Sequence, residues 1–127
     1  MTVDLIARLE AAERGSRELD CDILTYLGFE PAGTLYGWHW SNGKTFIKPK
    51  DSNVSRSLDA IAALTAEKLP GRGYIITYGK IAPDEPLGAV GIFNDLAGSE
   101  LVAREEAATP ALAFCIALLR ALERIER

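Results

Sequence analysis

The chain has 127 residues, 48% of them apolar and 25% charged, with a formal net charge of −4. That balance excludes a disordered tail or a fibre, and one ordinary core suffices at this length, burying roughly two-thirds of the unfolded surface. The longest unbroken apolar run, 111–119, falls far short of the ~20 residues that a membrane-spanning helix needs, so no membrane partner is expected.

The charge is unevenly spread. Residues 1–35 carry three basic and seven acidic side chains, residues 36–80 seven basic and three acidic, and residues 81–127 four basic and eight acidic. An acidic chain is a poor general binder of duplex nucleic acid, which requires a broad basic footprint. A local anion site in the basic middle third stays open. The N-terminus carries Asp4, Arg8 and Glu10 at helical spacing with neither a basic leader nor a small-residue cleavage site, so a cytoplasmic protein is expected.

In chain order, Thr2 is read as the cap of a first helix with Leu5, Ile6, Leu9 and Ala12 on one face, stopped by a positive φ at Gly15. Ser16 then caps a second helix through Leu19, Ile23, Leu24 and Leu27, ended by Gly28. Residues 35–40 and 44–47 are aromatic and β-prone, and the Asn42–Gly43 pair between them signals a type I′ hairpin. Pro49 ends the second strand. A polar stretch offers Asn53, Ser55 or Ser57 as the cap of a third helix with Leu58, Ile61, Ala62, Thr65 and Leu69, stopped by Pro70–Gly71. Residues 74–78, 87–93 and 101–105 read as three strands, with turns at 82–86 and 95–99. Thr109 followed by Pro110 opens a last helix, apolar nearly all round to Leu119 and therefore the most buried.

Three blocks, LIARLEAAERGSRELDCDI (5–23), SRSLDAIAAL (55–64) and ATPALAFCIALLRA (108–121), resemble the phage αβα-sandwich domain family. The resemblance implies a phage or prophage origin, hence the cytoplasm of a bacterial host, and a sandwich fold. It brings no established activity and no catalytic residues.

Chemical motifs are few. The stretch GWHWSNGKT (37–45) has five residues between its glycines where a phosphate-binding P-loop needs four, and Pro49 blocks the helix that should follow. His39 is the only histidine, which excludes a multi-histidine metal site, and no nucleophile motif accompanies it. Cys21 and Cys115 lie within apolar helical patterns and read as buried free thiols. The pairs Asp84–Glu85 and Glu105–Glu106 read as solvated charge at strand ends and turns. The one candidate binding constellation is Trp38 and Trp40 on one strand face with Lys44, Lys48, Lys50 and Arg56, aromatic planes beside cations such as a nucleotide needs. The same spacing also describes a sheet face packed under a helix.

The expectation is one domain over 1–127, an α/β sandwich of the α+β kind. Its order is helix–helix–strand–strand–helix–strand–strand–strand–helix (ααββαβββα), with one mainly antiparallel sheet of about five strands and helices on both faces. The expected function is a non-enzymatic phage accessory protein without cofactor, a binding module for a protein partner, host-directed in the sense of modulating a host protein or defence system. The alternative is a binder of a small anionic ligand at the Trp/Lys hairpin. Self-association is left open.

Overall fold

Helices form where caps and apolar spacing coincide. The computed structural model describes residues 2–34, 37–71, 73–78, 88–93 and 101–126, and contains α1 (Thr2–Ala11), α2 (Arg17–Tyr26), α3 (Leu58–Lys68) and α4 (Pro110–Glu126). The Ser16 hydroxyl accepts the Leu19 N–H at 3.1 Å, Ser57 accepts that of Ala60 at 3.3 Å, and Thr109 accepts that of Leu112 at 3.2 Å. Each cap satisfies one of the amide donors that a helix start leaves without an intrahelical acceptor. Every residue from 111 to 119 is buried, and α4 packs against α1, α3 and the second of two sheets. It is the central element of the core.

The strands are β1 (Glu30–Thr34), β2 (Gly37–Ser41), β3 (Phe46–Ile47), β4 (Tyr74–Tyr78), β5 (Gly88–Phe93) and β6 (Leu101–Ala107). They form two antiparallel three-stranded sheets, β1-β2-β3 and β4-β5-β6. In the second, the pairs Val90↔Glu105 and Ile92↔Ala103 fix a register that turns Val90, Ile92, Ala103 and Ala107 inward, while Arg104 and Glu106 face outward and are exposed. Tyr74 adds its ring to the inner side, 4.9 Å from that of Phe114. In the first sheet, Trp40 stands between Pro31 and Ile47 and is 5% exposed, part of the core.

The mixed α+β class with antiparallel pairing is as expected, but the single sheet of about five strands is not. The order is ααβββαβββα in two sheets, because residues 30–34 form a strand ahead of the 35–40 segment expected as the first, although Pro31 and Gly33 lie within it. Proline is tolerated on an edge strand, and among the described residues β1 pairs only with β2. Among the described residues α4 covers one face of β4-β5-β6, while Arg104 and Glu106 on its other face are exposed, so helices on both faces of this sheet are not seen there. The hairpin turn also differs. Of its two central residues, Gly43 and Lys44, only Gly43 has a positive φ, at +90°, which is the II′ pattern rather than I′. The turns expected at 82–86 and 95–99, with Asp84–Glu85, lie outside the described residues.

Candidate functional site

Two places gather polar chemistry, and the first is buried. On α2 the inward stripe Leu19, Asp20, Ile23 and Leu24 contains a carboxylate that is 3% exposed. One Asp20 oxygen accepts the Ser55 N–H at 2.8 Å and the Ser55 hydroxyl. The other accepts Arg56 Nε at 3.0 Å and Nη2 at 2.7 Å. The Ser55 hydroxyl in turn accepts the Ser16 N–H at 3.1 Å. A buried carboxylate is costly unless its oxygens are filled by donors, and here all four donors come from the segment just before α3.

Two further contacts close this clamp. Cys115 donates its S–H to the Val54 carbonyl at 3.3 Å, and its thiol pKa is pushed far up, first by burial and then by the Asp20 charge. Gly15 lies so close to Ser55 that a Cβ there would stand 2.0 Å from the Ser55 carbonyl oxygen. The three sequence blocks 5–23, 55–64 and 108–121 therefore meet around residues 54–56. Their polar groups are satisfied by one another, so the arrangement joins α2, α3 and α4 and offers no open coordination to a ligand.

The second place is the β2–β3 hairpin. Of its six candidate residues, the five whose side chains are described do not share one site. Trp40 is in the core, so its ring is no stacking plane, and the Trp38 side chain lies outside the described part. Arg56 is bound to Asp20 and, with Trp40, lines a hollow of about 110 Å³ beside Arg17, Cys21 and Ser52. Lys44 is exposed on the turn. Lys48 and Lys50 line a different and larger groove, about 550 Å³, between the hairpin and α3.

Phe46, which the sequence reading passed over, stands at this groove and is 66% exposed. It sits opposite Ser41 in the register, on the sheet face away from Trp40, and its ring meets that of His39 edge to face at 4.7 Å. Strand alternation carries the signal: Trp40 and Ile47 share the inward face, so Phe46 must share the outward face with His39 and Ser41. The helix wall presents Asp59, Ala60, Ala63 and Glu67, and the groove is closed below by the buried Val54 and Leu64.

Electrostatics set the groove apart from an anion site. Lys48 and Lys50 are faced by Asp51, Asp59 and Glu67 in the same lining, two cations against three carboxylates. A small anion entering it meets no net positive field. Elsewhere, Glu10, Glu105 and Arg120 join α1, β6 and α4. Arg120 Nε lies 2.8 Å from Glu105 but off the hydrogen-bond line, a charge contact only. Burial raises the Glu105 pKa above the ordinary carboxylate range, with Arg120 opposing it and Glu10 adding to it. Comparison with protein-family models, curated proteins and solved structures gives no match.

Proposed function

We propose that this chain is a non-enzymatic binding module that holds a protein partner at the groove between the β2–β3 hairpin and α3. The observation that carries this reading is Phe46, a large apolar ring left 66% exposed at the mouth of a groove of about 550 Å³. Aromatic side chains at the centre of a concave, partly apolar surface are the usual anchors of protein interfaces. An accessory role in a phage or prophage, directed at a host protein, is supported by the resemblance of blocks 5–23, 55–64 and 108–121 alone.

The small-anion alternative is less well supported, since Lys48 and Lys50 share their groove with three carboxylates and Trp40 is buried. Capture from a bacterial lysate, read by mass spectrometry, separates the two. The protein is expected to retain a stoichiometric partner that Phe46→Asp loses at unchanged melting temperature. A partner held equally by Phe46→Asp, or a nucleotide co-purifying in place of any protein, sinks the proposal.

A further inference from the structure

The groove has one wall of backbone. Asn42 N–H donates to the Thr45 carbonyl at 3.3 Å, so Asn42 and Thr45 are the bonded pair that closes the hairpin. An antiparallel ladder alternates, which makes Ser41↔Phe46 a non-bonded pair and Trp40↔Ile47 the next bonded one. The N–H and C=O of Phe46 are therefore turned away from β2. Among the described residues β3 pairs on that one side only, and its other edge faces the groove.

We infer that the groove takes an extended peptide segment of the partner, added as a fourth strand along β3 and covered by α3. Strand addition supplies partners for the outward amide and carbonyl of Phe46, which an edge otherwise leaves to water. Dimensions agree: Asp59 to Glu67 spans about 12 Å of helix, room for about three to four extended residues. The charge on the walls selects among peptides. With Asp51, Asp59 and Glu67 against Lys48 and Lys50, the groove favours a segment of net positive charge over an acidic one. It also requires a segment without proline at the paired position, because proline has no N–H to donate to the Phe46 carbonyl.

This inference rests on the binding-module reading, and its test separates the two. A random-peptide display library is panned on the full chain, and the enriched peptides are synthesised and titrated against three variants. Phe46→Pro removes the outward N–H while leaving the ladder to β2 whole, since proline is accepted at such edge positions. Ala63→Arg, at an exposed position of α3, fills the groove from its other wall. Enriched sequences are expected to be basic, with apolar residues at alternate positions. Phe46→Pro should bind them about tenfold more weakly than Phe46→Ala, the scale of one lost amide hydrogen bond once the ring is absent from both, and Ala63→Arg should abolish binding. Phe46→Ala keeps the N–H and reports the ring alone. Strand addition is overturned if Phe46→Pro binds as tightly as Phe46→Ala, if the enriched peptides are acidic, or if none is enriched over Ala63→Arg. Should that happen while protein capture is still lost with Phe46→Asp, the binding module stands and only the strand mode falls.

Discussion

A single hydrogen atom separates the two readings of Gly15. By sequence it is a helix stop with positive φ, yet among the described residues the left-handed glycines are Gly28, Gly43 and Gly71, and Gly15 is not one of them. Its constraint is contact: a methyl group there would meet the Ser55 carbonyl at 2.0 Å, and backbone on both sides gives way only at a cost. Gly15→Ala is expected to destabilise by ~1–3 kcal/mol in urea unfolding, the range for overpacking. Gly33→Ala, where the new methyl meets nothing within 4 Å, is the control and should change little. A Gly15→Ala variant as stable as the parent would mean that the clamp around Ser55 is loose. Asp20 taught the same lesson from the other side. It lies on the helical stripe with Leu19, Ile23 and Leu24, and an acid on an apolar stripe is the visible mark of a buried polar partner. The partner itself, 35 residues away, leaves no local trace.

At the scale of elements, the junction of α1, β6 and α4 gives a prediction in pH. Glu105 feels the charges of Arg120, Glu10, Arg124 and Arg104, but desolvation is the largest influence on it, raising its pKa above the ordinary value of 4.5. The folded chain thus holds this proton more tightly than the unfolded chain. Glu105 contributes stability that is complete below the unfolded pKa and is lost as pH rises through the folded one. Glu105→Gln, which stays neutral, should therefore gain stability relative to the parent as pH increases from about 4.5, with the difference levelling off once the pH has passed the raised folded value. Denaturant midpoints measured across that window check it, and a difference that is flat or runs the other way would overturn the assignment. The caps and strands at this level were largely readable: Ser16, Thr109–Pro110 and the three late strands follow from local chemistry. The missing strand β1 was not, because Pro31 and Gly33 suppress the local β signal and only its edge position makes them acceptable. The site suffered from the same limit. The Trp38–Trp40 alternation was legible, but the face it occupies depends on the core beneath, and the burial of Trp40 hands the outward face to Phe46.

Across the whole molecule, burial is graded around α4. This helix touches α1, α3 and all three strands of the second sheet, while the first sheet reaches the core through Trp40 and the chain that follows β3. No local pattern states that two sheets rather than one will form, since strand count and pairing partners depend on where the apolar α4 settles. The gradient has a dynamic consequence. Amides in α4 and β5 near the buried residues 111–119, Val90 and Ile92 can exchange only when most of the domain opens, whereas β3 is a two-residue edge strand beside exposed turns. Native-state hydrogen exchange should accordingly rank α4 and β5 slowest, near the global unfolding free energy, and the β2–β3 hairpin fastest. The order matters for function, because an edge that is to accept a further strand must have its outward amide open to solvent and to the incoming chain. A Phe46 amide as protected as those of α4, in the free protein, would show that the edge is already covered, and the groove would then be no place for a partner to bind.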